Sequence, residues 1–243
     1  MNSCNGLPSA LWQSQWLLSC MSFIAESNQG ETMTTIEIDR AVAAKVLATV
    51  DAGLSSGIGD PVPGRMCVEA AVCYALGLPH GDNPQCVSPA LRTIKIRLND
   101  ANWSSNTARA KGLRRLALAQ LGSVGVLDEK EFSRRVVDHA IRVSVPEAMR
   151  VAASIIKNPD HKAAMIAAAA RCEKEGTREA AIAAKKTAAA AADAAADAAY
   201  AYAYADAAAR DKSLANYAEA VVQILIEMKA PGCQWLDLTE ETT

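Results

Sequence analysis

Apolar residues recur along this chain at steps of three and four, the period of an α-helix, and the rhythm breaks at Gly, Pro, Ser, Asp or Asn. Thr34 followed by Glu37 forms a capping box, after which Ile38, Val42, Val46 and Val50 line a first helix that Gly53 ends. A loop with Gly53, Gly57, Gly59, Pro61, Pro63 and Gly64 follows. Met66 to Leu76 then reads as a short helix, apolar around most of its circumference and therefore central, closed by Gly77. The turn formers of Leu78 to Ser88 make a loop.

Ser88 before Pro89 opens the next helix. Ile94, Ile96 and Leu98 alternate with Lys95 and Arg97 as a strand would, but Leu91, Ile94, Leu98 and Ala101 share a helical face, and no partner strand is in sight. Ser104 or Ser105 caps a helix with Leu113, Leu116, Ala117 and Leu121 inward and Gly122 as its stop. Asp128 with Glu131 starts another, with Phe132, Val136, Ala140 and Val143 inward. Its outer face pairs Glu131 with Arg135, Arg134 with Asp138, and Asp138 with Arg142 at i,i+4. Pro146 restarts a helix to Lys157, and Asn158 with Pro159 begins one that ends near Gly176.

From Thr177 to Arg210, 20 of 34 residues are Ala, the best helix former. A single helix from Thr177 to Lys229 would measure ~80 Å at 1.5 Å per residue, so a bend is expected at Asp211 to Ser213. The return arm carries Leu214, Tyr217, Val221, Ile224, Leu225 and Met228 as one stripe, Pro231 and Gly232 end it, and Trp235, Leu236 and Leu238 tuck the tail back. The pattern predicts an all-α fold, a multi-helix bundle with a long Ala-rich C-terminal helical hairpin. It divides into an N-terminal extension (1–32), a helical domain (33–157), and the hairpin with its tail (158–243).

Composition agrees: 51% of the 243 residues are apolar but only 5% aromatic, so Ala, Val, Ile and Leu must fill the core. The net charge of −2 hides a division. Seven bases against Asp100 lie between Pro89 and Leu121, and nine acids against three bases lie from Asp193 onward. Seven cysteines without a repeating spacing read as scattered buried thiols in a reducing cytosol rather than a disulfide framework. Leu11 to Ile24 is too short and too interrupted to span a bilayer, and no basic residue precedes it, so neither a signal peptide nor a membrane anchor is expected. Met33 directly precedes the first helix signal, which marks residues 1–32 as dispensable to the fold.

Several constellations invite chemistry. Gly59 to Met66 (GDPVPGRM) has the length of a phosphate-binding loop, but Arg65 and Met66 replace its Lys and hydroxyl and two prolines remove N–H donors, so a turn is expected. Cys67, Cys73, His80 and Cys86 are potential zinc ligands at a spacing that matches no close-paired site, which favours buried thiols and no metal. Glu69, a lone carboxylate in an apolar run, needs a partner, with Arg65 one turn earlier the nearest. Together with His80 and Asp82 it would make a general acid/base site, or else an ion pair that pins the following loop. Arg92, Arg97, Lys111, Arg114 and Arg115 around Trp103 offer phosphate contacts and a stacking ring, or an ordinary solvated face. Asp193, Asp197, Tyr200 and Tyr204 share one helical face and suit a protein interface.

Residues 178 to 230, with AAADAAYAYAYADAAARD followed by an apolar helix, resemble the Ala- and Tyr-rich helical segments of bacterial proteins of the immunity type. The resemblance implies a helical protein that works by binding another protein; it carries over no functional residue and no cofactor. The sequence therefore reads as a non-enzymatic cytoplasmic binding protein. The alternative is a small-molecule, nucleotide or nucleic-acid site built by loop 77–88 and the basic helices 89–121.

Overall fold

A computed structural model describes residues 38–194 and 207–240. Among these the fold is all-α: nine α-helices, a π turn and a 3₁₀ segment, with a single antiparallel bridge, Gly59 to Met66, as the only β-type pairing. In chain order the helices are α1 Arg40–Asp51, α2 Val68–Ala75, α3 Pro89–Asn99, α4 Asn106–Ala119, α5 Glu129–His139, α6 Val145–Ile155, α7 Pro159–Glu175, α8 Arg178–Ala194 and α9 Ala207–Glu227. Contacts group the described residues into two compact units, one of 38–134 with 214–240 and one of 135–194 with 207–213. This division places α6 with the Ala-rich α7 and α8.

In the first unit α2 is central, packed by α1, α3 and α4, and of its eight residues only Tyr74 reaches solvent, beneath the Lys45 ammonium. The first helix begins one turn later than the Thr34–Glu37 box proposes. Asp39, with extended backbone, accepts the Val42 N–H at 2.8 Å, a strong cap that leaves Ile38 outside, while Thr34 and Glu37 lie outside the described residues. The strand-like stretch at Ile94–Leu98 is helical as expected, starting at Pro89. Ser88 stands at the cap position, but its hydroxyl donates to Glu129 at 2.9 Å instead of capping. The tail forms a 3₁₀ segment, Pro231–Thr239, against α4 and α1, with Leu236 buried as expected.

The loop Gly53 to Arg65 is the expected turn. Gly59 has φ +68°, and a Cβ there would lie 2.0 Å from the Arg65 carbonyl oxygen, so only glycine permits the bridge to Met66. Arg109, buried, donates to the Asn99 and Leu54 carbonyls and to Asn106, tying Leu54 of this loop to α3 and α4.

In the second unit the π turn Ala140–Ser144 corrects the reading of Pro146 as a fresh start. Pro146 has no N–H to give to the Arg142 carbonyl, and the chain widens ahead of it, the Val145 N–H reaching Ala140 five residues back. The extra residue moves Val143, expected inside, to 46% exposure, while Ile141 and Val145 are buried. Asn158 caps α7 through Asp160 and His161 N–H, Gly176 ends it, and Thr177 caps α8, all as read from sequence. The alanine-rich α8 packs on the preceding helix α7; Ala180, Ala181, Ala184 and Ala188 are buried along α8, and Met165, Ala169 and Cys172 along α7. The bend expected at Asp211–Ser213 is absent: those residues continue α9, whose Ala-rich start has no helix breaker.

Candidate functional site

Of the groups singled out in the sequence, Glu69 is the one whose surroundings demand an explanation. It lies in the first turn of α2 because Cys67 caps that helix, its thiol accepting the Ala70 N–H at 3.3 Å, and the apolar neighbours Val68, Ala70 and Val72 pull the turn inward. Its partner is Lys95, not Arg65, which is one turn away on the surface and holds Asp60 at 2.6 Å. Lys95 sits in the middle of α3, between the buried Ile94 and Leu98, so the face that seals the core carries the ammonium in with it.

Both side chains are fully buried and their charged atoms stand 3.5 Å apart, an ion pair too long for a good hydrogen bond. Neither Glu69 oxygen nor Lys95 Nζ meets a hydrogen-bond partner. Burial pushes the Glu69 carboxyl above its ordinary range against the opposing pull of Lys95, and burial pushes the Lys95 amine below its own against the pull of Glu69. A buried pair without auxiliary hydrogen bonds is a poor source of stability.

Glu69 lines a cleft of about 30 Å³ together with Gly57, Ile58, Cys67, Asp82, Asn99 and Asp100, among others. Asp82, from the loop after α2, is held by Arg92 at 2.7 Å through its carboxylate, and the same guanidinium also donates to the Asp82 carbonyl. Asn99 accepts the Val68 N–H at 3.2 Å and donates to Ser55 and Asp100, so α2, α3 and the glycine loop meet at its amide. Thus the structure brings Glu69 and Asp82 to one cleft, with Arg92 behind Asp82. His80 is not part of its wall: exposed, it faces the Gly59 carbonyl at 3.0 Å, so the acid/base trio is not assembled.

Among the described residues no three His, Cys, Asp or Glu side chains gather to hold a metal ion. Cys67, Cys73 and Cys86 are buried free thiols with pKa values raised by burial, Cys73 to about 11.

The basic helices serve the fold more than a phosphate. Arg114 grips Asp51 with two nitrogens, at 2.7 and 3.0 Å, and the Thr239 carbonyl at 2.7 Å; Arg115 holds Glu219 at 3.0 Å. Arg97 is half-buried near the end of α3 and is engaged within the chain. Trp103, offered as a stacking ring, is 5% exposed, donates to the Leu98 carbonyl at 2.8 Å, and lies over Gly112, where a Cβ would meet the ring at 2.3 Å. Asp193 belongs to the last turn of α8; Asp197, Tyr200 and Tyr204 lie outside the described residues.

Sequence reasoning missed Lys95, whose strand-like neighbours Ile94 and Ile96 disguised its position on the buried face, and Asn99, which no motif marks. No family model matches the chain, and no curated protein and no solved structure matches it either.

Proposed function

We propose that this protein acts by binding another protein through its helical surface, as an immunity- or inhibitor-type protein does, with no chemistry of its own. The observation that supports this reading is the outer face of α7. Ala163, Ile166, Ala167 and Ala170 recur at i, i+3, i+4 and i+7, all are exposed, and no charge interrupts the helix between Lys162 and Arg171. A solvated helix normally carries charges on that face; small residues there allow a partner helix to approach at the short end of the ~8 to 10 Å range. Free buried thiols at Cys67, Cys73, Cys86 and Cys172 suit a reducing, cytoplasmic setting, and among the described residues no helix is long and apolar enough to cross a membrane.

The test is affinity capture from the source organism with the wild-type chain and with Ile166→Asp. A partner retained by the first and lost by the second is expected; identical capture by both removes the helical surface from the account.

A second reading has an observation of its own. The cleft beside Glu69, walled partly by Asp82 of loop 77–88 and by α3, is lined by Asp82, Asn99 and Asp100 among others, polar residues that suit a small polar ligand. Nucleic acid is the weaker form of this alternative, since Arg92, Arg114 and Arg115 already hold carboxylates.

A further inference from the structure

The side of α7 turned away from the core has a charge pattern that matches itself in reverse. Met165, Ala169 and Cys172 are the buried row of this helix. At about 100° per residue, the row directly opposite is Asp160, Ala163, Ala167, Ala170 and Lys174, and all five are exposed. Their alternating steps of three and four are those of a coiled-coil seam, with methyl groups in the middle and one charge of each sign at the ends. Ile166, 46% exposed, flanks the middle. Elsewhere on the helix Glu173 is held by Arg150 and Glu175 by Arg171, whereas neither Asp160 nor Lys174 enters an ion pair or a side-chain hydrogen bond among the described residues.

We propose that this face is occupied by the same face of a second copy of the chain, the two α7 helices running antiparallel about a two-fold axis at Ala167. The inference rests on the α7 surface reading above and names the occupant. Asp160 and Lys174 each stand seven residues from Ala167, so the axis sets Asp160 of each copy against Lys174 of the other. Ala163 and Ala170 match within one residue of register, and the two Ile166 side chains come together beside the axis. A parallel pair would instead oppose Asp160 to Asp160 and Lys174 to Lys174, and would align the two helix dipoles. Each charge also suits the dipole at its own end of α7, and antiparallel pairing brings those unlike ends together. Methyl groups along the seam let the axes approach to about 8 Å, the short end of the usual range. A contact along one helix of ~25 Å, at 1.5 Å per residue, lies at the small end of specific interfaces, so the dimer is a weak one.

The experiment is sedimentation velocity of the full-length chain over a concentration series reaching about 1 mM. A reversible monomer–dimer equilibrium with Kd of roughly 10–500 μM is expected. Asp160→Lys and Lys174→Asp, both at exposed positions, should each weaken self-association roughly tenfold, because two attractive pairs become two repulsive ones. Mixed in equal amounts, the two variants should associate as the wild type does, a rescue that no misfolded chain could give. Ala167→Glu sets two carboxylates against each other at the axis and should weaken the dimer at least roughly tenfold, with the helical circular dichroism unchanged. A dimer that neither charge variant weakens overturns the antiparallel seam, since a parallel pair already opposes like charges. A wild-type chain that stays monomeric throughout overturns the inference and leaves capture of a different protein by the same face as the account of function. Failure of that wider reading shows separately, as capture from the source organism unaffected by Ile166→Asp.

Discussion

In the first unit the fully buried side chains include Leu54, Met66, Leu91, Leu113, Leu116 and Phe132; in the second, Ile141, Val145, Met149 and Met165 stand out among a row of alanines. Among the described residues the buried polar and charged ones, Glu69, Lys95, Asn99, Arg109 and Gln120 among them, all belong to the first unit. The two facts are connected. Helices held apart by Leu and Phe leave intervals in which a long polar side chain can lie down, with its methylenes packed and its head shielded. Helices that meet through methyl groups leave less room for such a guest, and among the described residues α7 and α8 bury no charged side chain.

The sharpest way to break this contrast is to remove one half of the buried pair. Lys95→Met leaves Glu69 buried without a base and should cost about 3–5 kcal/mol in urea unfolding, whereas Glu69→Leu with Lys95→Met should recover most of that loss or exceed wild type. A double variant as unstable as the two single losses added together would show that the residues are not coupled. The pH profile sharpens the same point. Glu69 is raised above its ordinary 4.5 by burial, so its burial costs nothing below that pH and its penalty grows as pH rises through the folded value. Lys95 is lowered from 10.5 by burial, so its penalty is absent above that pH and grows as pH falls. The deficit of wild type against the double variant should therefore be greatest near neutrality and narrow at either extreme.

Next in size is an exchange of volume between units. Leu116→Ala in the first unit should cost about 2–5 kcal/mol through the cavity it leaves. The opposite change in the second, Ala184→Leu, should cost about 1–3 kcal/mol by forcing α8 off α7. Should Ala184→Leu prove neutral, the methyl-to-methyl packing is looser than described. Smaller still, Asn158→Ala removes the acceptor for two N–H groups at the start of α7 and should cost about 1 kcal/mol, read as a lowered thermal midpoint. Smallest is Ile166→Asp, which should shift stability by no more than about 0.5 kcal/mol while abolishing partner capture; a large loss of stability would mean that the outer face of α7 is engaged within the chain.

Local signals carried much of the fold. Ser105, Asn158, Gly176 and Thr177 act where their chemistry says, because a cap depends on three or four neighbouring residues and on little else. The reading failed where the outcome depended on distant parts of the chain. Lys95 and Arg109 look like surface residues, and only the meeting of α3 and α4 with α2 and the glycine loop encloses them. Glu69 was visible as an anomaly because an acid in an apolar run is costly wherever it lies, yet its partner, 26 residues away on another helix, left no local trace. Asp211 to Ser213 show the converse error, since a length argument imposed a break where the residues themselves favour continuation.

Chain length and direction are uncoupled at the π turn. Each residue of an ordinary helix advances the azimuth by about 100°, and the wide turn at Ala140–Ser144 absorbs one such step. Deleting a single residue there would let the backbone close into regular geometry while Ala148, Met149 and Ala152 keep the side they now occupy. The same deletion inside α7, which has no slack to give up, would turn every later side chain of that helix by about 100°.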